Sequence, residues 1–389
     1  MRILHYLDTT DTRRGGPQRM VLDSCRVLAA RGHECVLLAS DTTDAPQEWL
    51  TSGPGLPLVK RIPAPTLPGG FYSPRGLRAL EGDLAGADVA HFHCVWSPAA
   101  HQIGRLARRA GVPYIVSLHG MFDDWAMSQA ALKKRVFLSL GGRALLEHAA
   151  AVHCTAEGEL AQSRKWFNGR GIAVPPLLDL EPYRALPGPE AARQKFPFLQ
   201  ERPWPVVLFL SRLHPVKRPG LLIEAAAELK AQGVDATFVL AGPGEEGFVA
   251  GLKASAERLG VSERVHFPGL VMGREKLSLY QAADLFVLPT QQENFGVVLI
   301  ESLACGTPLV TTRGVDIWPE LKGSGAAVIL EDVSWLVREV GRLLKDSPGR
   351  AAMAEKARAY VFRAFDEAVT TRQMEGLYEQ ARRTARPRA

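Results

Sequence analysis

Short apolar runs separated by longer helix-period segments recur along the whole chain, and that rhythm limits the fold more than any other feature. The runs RILHYL, ECVLLAS, VAHFHC, PYIVSLH and AAVHCT are bounded by Gly, Pro or charged helical segments, the pattern of strands buried on both faces. Between them lie segments such as PQRMVLDSCRVLAARGH, where Gly32 stands as a helix C-cap. Strand and helix in alternation specify a parallel sheet covered by helices on both sides. The rhythm pauses in a proline-rich stretch from Ala173 to Pro205, then restarts with PVVLFLS, ATFVLAGPG, RVHFPGL, ADLFVLPT, TPLVTT and AAVIL. The expectation is an α/β protein of two doubly wound, Rossmann-like parallel-sheet domains, with the linker near Pro175 and Pro176. A chain of 389 residues exceeds one ordinary core and suits that division. Ligands bind beyond the carboxyl ends of the strands in such sheets, so an interdomain cleft is the expected site. Past Asp332 the pattern is helical, and DEAVTTRQMEGLYEQARR forms a final amphipathic helix before the basic tail TARPRA, read as disordered.

Charge and cysteine content narrow the function classes. The net charge of +6 comes from 47 basic and 41 acidic residues, too mild an excess for a nucleic-acid-binding field. A polyanionic small molecule or an anionic membrane surface suits it. Cys25, Cys35, Cys94, Cys154 and Cys305 contain no Cys-x-x-Cys pair and read as reduced core residues of a cytoplasmic protein, neither a disulfide frame nor a zinc site. Asp8 and Asp11 interrupt the place where a signal peptide needs its apolar stretch. No run reaches the roughly 18 apolar residues of a spanning helix, which leaves only peripheral membrane contact.

The stretch QQENFGVVLIES follows a strand and opens a helix closed by Gly306. Glu293 falls in the loop, and the amides of Asn294, Phe295, Gly296 and Val297 form a helix N-terminus able to hold an anion or sugar oxygens. Glu301 lies one turn past Val297 on the same face. A diphosphate with a sugar at one end and a ribose at the other matches two carboxylates so spaced; an acid favoured by the helix dipole and an acid on a solvated face explain them too. In SRLHPVKRP, Arg212 and Lys217 follow the first strand of the second domain, where two cations can neutralise a diphosphate as its bond to a sugar breaks. An ordinary surface pair is the alternative. The chain has no Asp-x-Asp triplet, so an enzyme acting on a nucleotide sugar here lacks that acidic metal bridge, and no metal or cofactor is expected.

In the first domain Gly15 and Gly16 let the backbone approach a ligand closely or simply make a turn, and no Gly-x-Gly-x-x-Gly follows the first strand, against a nicotinamide or flavin enzyme. His119 stands at a strand end before Gly120 and is taken as a site residue; a hydrogen-bonded structural histidine is the alternative. His91 and His93 have no acid at ligand spacing and read as packing or cleft-lining residues. Lys133, Lys134, Arg135 and Arg143 alternate with Leu132, Val136 and Leu140 at helical spacing. The expectation is a surface helix with its apolar side in the core, with docking on anionic lipid as the alternative.

Together SRLHPVKRPGLLIEAAAEL, LAGPGEE, VHFPGLV and LYQAADLFVLPTQQENFGVVLIESLACGTPLVTT resemble the retaining glycosyltransferases of family 4, enzymes of GT-B fold, most specifically in ENFGVVLIE. The resemblance spans essentially the whole chain and implies an acceptor domain over residues 1–178, a nucleotide-sugar domain over 179–364, and a helix from about Phe365 crossing back. It implies that Glu293 contacts the donor sugar, Glu301 the ribose, and Arg212 and Lys217 the diphosphate, with the amides of Gly296 and Val297. His119 would sit beside the donor sugar and Gly16 approach the phosphate. The resemblance places the loop carrying Gly269, Leu270 and Val271 in the same implied donor site. The implied reaction is hexosyl transfer with retention to a carbohydrate or lipid-linked acceptor, in bacterial polysaccharide or glycolipid synthesis at the inner face of the membrane. LHGM replaces the Pro-Arg-Gly-Met of many polysaccharide relatives, which leaves the acceptor subgroup open. A nucleotide-sugar epimerase of the same architecture and a non-catalytic sugar-nucleotide-binding regulator are the rival classes.

Overall fold

The structure is a computed structural model that describes residues 1–51, 53–93 and 95–384. The chain divides into two compact units, Met1–Asp179 together with the residues from Phe365 onward, and Leu180–Ala364. Asp179 is tied to the first unit by an ion pair with Arg26. The reading of Cys94 as a reduced core residue and that of the last five residues as disordered fall outside the described residues.

In the first unit seven strands form one parallel sheet: β1 (Arg2–Tyr6), β2 (Glu34–Ala39), β3 (Leu58–Arg61), β4 (Val89–Phe92), β5 (Tyr114–Ser117), β6 (Ala151–Cys154) and β7 (Gly171–Ala173). Their order is β3-β2-β1-β4-β5-β6-β7. In the second unit β8 (Val206–Leu210), β9 (Thr237–Ala241), β10 (Val265–Gly269), β11 (Leu285–Leu288), β12 (Leu309–Thr312) and β13 (Ala327–Leu330) run in the order β10-β9-β8-β11-β12-β13. Both sheets therefore reverse direction of growth beside their first strand, β1 against β4 and β8 against β11. That switch point leaves a crevice at the carboxyl ends of the strands, because the flanking helices leave to opposite faces.

The central strands are predominantly apolar because both faces are covered, and every residue of β4, β5, β8, β9, β11 and β12 is buried, the polar His91 and Ser117 included. β3 and β7 escape the apolar-run pattern. Both are edge strands, and LVKR and GIA are too short or too polar to stand out from their surroundings. The final helix, Glu367–Arg383, packs Met374, Leu377, Tyr378 and Ala381 into the core of the first unit with Ile3, Val89 and Ile115.

One expectation is overturned. The segment around Lys133 is not one helix with its apolar side inward. It is a helix over Ala131–Phe137, a wide π turn over Leu138–Gly142 that Gly141 opens with φ of 125°, and a short helix over Arg143–Glu147. The extra residue per turn rotates the later face inward, so Leu138, Leu145 and Leu146 are buried. Leu132, Val136 and Leu140 are left 77%, 46% and 80% exposed.

Candidate functional site

At the switch point of the second unit, the ends of β8 and β11 carry most of the expected residues. Beyond β8, Arg212 is exposed and has no ion-pair partner among the described residues. A tight 3-10 turn over Pro215–Lys217 then brings Lys217 back under the loop that follows β11. Lys217 is 7% exposed, and its Nζ donates to Glu293 Oε2 at 2.6 Å and to the carbonyl of Gln292 at 3.0 Å. The loop is fixed from both sides. Gln291 N donates to Val216 O at 2.8 Å, Glu293 N to Gly314 O at 2.8 Å, and Asp316 N to Glu293 O at 3.0 Å. Such bonding holds the Glu293 carboxylate and the Lys217 ammonium in one geometry before any ligand arrives.

Gly296 starts the helix Val297–Ala304 with φ of 68°, and a Cβ there would lie 2.7 Å from Leu299 Cδ1 and 3.0 Å from Glu293 Cγ. Glycine is required on both counts. The first amides of the helix, at Gly296 and Val297, have no acceptor within it and present a partial positive charge beside Lys217 and Arg212. Phe295 is buried, so it can serve a ligand only through its backbone, whereas Asn294 beside it is partly exposed. Desolvation first, and then the charges of Arg212 and Lys217, hold the His214 imidazole below its ordinary range.

Glu301 sits on the same helix but is 8% exposed and heavily engaged. Its Oε1 accepts from Lys276 Nζ at 2.6 Å and Tyr183 Oη at 2.8 Å, and its Oε2 from Tyr280 Oη at 3.1 Å. Burial alone would raise the carboxyl, but the Lys276 charge and these hydrogen bonds outweigh it and hold Glu301 below the usual carboxylate range. Of about four acceptor positions on a carboxylate, one on Oε2 is left over. Neither Lys276 nor Tyr183 was singled out from sequence, because each becomes a partner of Glu301 only when Gly273–Ala282 and the Pro182 turn pack against the helix.

Beside this cluster, at the carboxyl ends of β8, β9 and β10, lies a cavity of about 490 Å³ lined by residues including Leu213, Gly242, Pro243, Phe267 and Gly269. A Cβ on Gly242 would fall 1.9 Å from the carbonyl of Ser211, so glycine lets the two strand ends close up. Gly269 is the wall contributed by the predicted loop, with Leu270 exposed and Val271 buried just beyond.

In the first unit, Gly15 has φ of 150° and caps the helix Gly16–Ala30, with Gly16 exposed at its first position. His119, after β5, adopts φ of 48°, and Gly120 follows with φ of 74°. This left-handed pair is uncommon for a histidine. The buried Glu159 holds it, accepting from Gly120 N at 2.5 Å and from Thr155 N at 2.6 Å. His119 Nε2 lies 3.1 Å from His93 Nδ1, and His119 Nδ1 is buried without a partner among the described residues.

The structure thus joins Glu293 to Lys217 directly, sets Arg212 at the same strand end, and gives Glu301 a separate cluster of its own. Comparison with known proteins identifies the family. Residues 15–176 match the family profile described as Glycosyl transferase 4-like domain, and residues 191–360 that described as Glycosyl transferases group 1. The D-inositol 3-phosphate glycosyltransferase of Mycobacterium sp. (strain JLS) is 30% identical over 369 residues, covering 90% of this chain and 82% of that protein. The chain belongs to the group 1 glycosyltransferases. A second D-inositol 3-phosphate glycosyltransferase, from Salinispora tropica, is 31% identical over 409 residues, with 97% of this chain and 83% of that protein covered. Among solved structures, Anabaena HepE in complex with UDP and glucose superimposes with a TM-score of 0.77 at 21% identity, covering 97% of this chain and 98% of that one. Sucrose-phosphate synthase from Thermosynechococcus elongatus gives 0.76 at 21% identity, with 98% and 99% covered. These likenesses establish the GT-B fold of this glycosyltransferase.

Proposed function

We propose that this glycosyltransferase moves a hexosyl group from a nucleoside diphosphate sugar to an acceptor hydroxyl, with retention at the anomeric carbon and without a metal ion. The observation that carries this reading is Lys217, a cation held against Glu293 and the Gln292 carbonyl at the switch point, with Arg212, which has no ion-pair partner among the described residues, at the same strand end. As the bond from the anomeric carbon to the phosphate oxygen breaks, negative charge grows on that oxygen. Lys217, Arg212 and the helix amides at Gly296 and Val297 stabilise it, in the place that a metal ion fills in enzymes with an acidic triplet. The acceptor oxygen bonds to the anomeric carbon from the same face, its proton passes to the departing phosphate oxygen, and the nucleoside diphosphate leaves. Glu293 accepts hydroxyls of the transferred sugar, and the remaining position on Glu301 accepts a ribose hydroxyl. The cavity walled by Gly269 receives the base.

The names of the inositol phosphate relatives, and the UDP-glucose held by the Anabaena neighbour, favour a uridine donor and a polyol acceptor. A bacterial polysaccharide or glycolipid intermediate remains the acceptor class favoured by the resemblance. On the first unit, Leu132, Val136 and Leu140 project beside Lys133 and Arg135, a surface suited to anionic lipid at the inner face of the membrane.

Thermal-shift titration with UDP, GDP and ADP sugars, with and without EDTA, tests the donor. Stabilisation by one nucleotide class that survives chelation is expected. Transfer to inositol 3-phosphate and to lipid-linked saccharides, followed by NMR of the product's anomeric proton, then tests retention. An epimerised nucleotide sugar formed without acceptor would overturn transfer, and donor binding with no turnover on any acceptor would make the protein a regulator.

A further inference from the structure

The heart of the first unit contains five histidines. His5 lies on β1, His91 on β4 with His93 just after it, His119 just after β5, and His153 on β6. Burial keeps all five well below the ordinary histidine range, at about 4 for His5 and His153 and about 3 for His119. Each ring is therefore neutral, with one N–H and one lone pair, and the hydrogen bonds dictate where each proton sits.

One chain of bonds has a fixed direction. The Val174 carbonyl can only accept, so His153 Nε2, at 2.8 Å, must donate to it. His153 Nδ1 then accepts from Ser117 Oγ at 2.6 Å, and Ser117 Oγ accepts from His91 Nε2 at 2.7 Å. His91 Nδ1 is left to accept from Tyr378 Oη at 2.9 Å. Both nitrogens of His91 are thereby committed.

A second chain runs from His5 Nδ1 to His93 Nε2 at 3.0 Å, and from His93 Nδ1 to His119 Nε2 at 3.1 Å. Its two ends, His5 Nε2 and His119 Nδ1, have no partner among the described residues. The three protons must all point one way or all the other. Either direction leaves one N–H without a partner among the described residues, at His5 Nε2 or at His119 Nδ1. An orphaned N–H costs least where a ligand or water can reach it, and His119 is partly exposed whereas His5 has no exposure. The favoured direction places protons on His5 Nδ1, His93 Nδ1 and His119 Nδ1, with the bare lone pair at His5.

We propose that His93 is a positioning residue that holds His119 in its Nδ1–H form, so that His119 presents a donor to an oxygen of the bound substrate. The left-handed turn clamped by Glu159 fixes the ring's orientation independently. His119 Nε2 is occupied by the His93 proton and its Nδ1 carries a proton of its own, so the residue is no general base. That agrees with transfer of the acceptor's proton to the departing phosphate, and the substrate part of this inference rests on the proposed glycosyl transfer. The grouping of ring nitrogens of His5, His91 and His93 within 4.8 Å also suggests a cation site, but the lone pairs a cation needs are consumed by the two chains, that of His5 Nε2 apart.

Long-range 1H–15N spectra of the full chain labelled with 15N-histidine at pH 7.5 read the tautomers directly, without substrate. The expected result is His119 protonated at Nδ1, with its signals identified by loss in H119Q. In H93F, His119 should move toward the Nε2–H form preferred by an unconstrained imidazole. In H93Q, whose amide can accept from His5 and donate to His119, the Nδ1–H form should return. Unchanged His91 and His153 signals report that each variant is folded. H93F should also lower kcat about tenfold, with H93Q recovering most of it, as expected for a partly misplaced donor. Wild-type His119 protonated at Nε2, an unchanged tautomer in H93F, or one zinc retained per chain after dialysis against chelator would each overturn the proposal. A failure to find any donor substrate would sink the glycosyl-transfer reading and leave the tautomer result standing.

Discussion

Mild acid should loosen the first unit, and the size of the effect follows from its five buried histidines. His5, His91, His93, His119 and His153 are held neutral in the fold by burial, at about 4 for His5 and His153, about 3 for His119, and well below the ordinary range for His91 and His93. In the unfolded chain each titrates near 6.5. Below that pH the unfolded state binds protons that the folded state refuses, so stability falls as pH drops from about 6.5 toward about 4. At pH 5.5 one such histidine costs about 1.4 kcal/mol relative to pH 7.5, and five that all stay neutral cost about 7 kcal/mol. That is comparable to the whole stability of a domain, roughly 5–15 kcal/mol. Hydrogen exchange followed by mass spectrometry on peptides spanning β1, β4 and β5 would report this unit separately from the other. At constant ionic strength, protection in these strands should fall by orders of magnitude, after correction for intrinsic exchange rates, between pH 7.5 and 5.5. Protection that changes by less than about tenfold would refute the reasoning, since even two of the five histidines predict about 3 kcal/mol.

Three further outcomes are expected. K217M removes the ammonium but keeps the chain length, and should lower kcat about 10²-fold or more, as for loss of one preorganised donor; turnover within a few-fold of wild type would take Lys217 out of the mechanism. K276M leaves the buried Glu301 carboxylate without its cation and should cost about 3–5 kcal/mol in urea unfolding, most of it recovered in K276M/E301Q, whereas purely additive effects would show that the pair is not coupled. Because Glu301 lies below the ordinary glutamate range, its contribution to stability holds above about pH 4.5 and is lost as pH falls through the depressed folded value. Replacing both Leu132 and Leu140 by serine should abolish flotation with vesicles of anionic phospholipid while leaving the melting temperature within a degree or two, and equal flotation would remove that surface from the membrane.

The two parallel sheets were legible because buried parallel strands need unbroken apolar runs, and ECVLLA, TFVLA or LFVL look like little else between helices. The donor-side residues were legible for a related reason. In a doubly wound sheet, chemistry collects on loops at strand ends, so Arg212, Lys217 and Glu293 could be picked by position. Spacing along the chain could not supply partners. Lys276 and Tyr183 meet Glu301 across 25 and 118 residues of sequence, through helix packing alone. Spacing put Leu132, Val136 and Leu140 on one face, and they are exposed together, but packing decides which face meets the core, and it is Leu138, Leu145 and Leu146, in and beyond the π turn, that turn inward. The histidines show the division most plainly. From sequence, His5, His91, His93, His119 and His153 are scattered residues on four apolar runs. Strand order puts β1, β4, β5 and β6 side by side, and only then do five rings touch, lose water and become two directed chains of hydrogen bonds. Local pattern determined which segments became strands, since burial acts on each run where it stands; the pairing of strands distant in sequence, a property of the whole sheet, decided which side chains share a site.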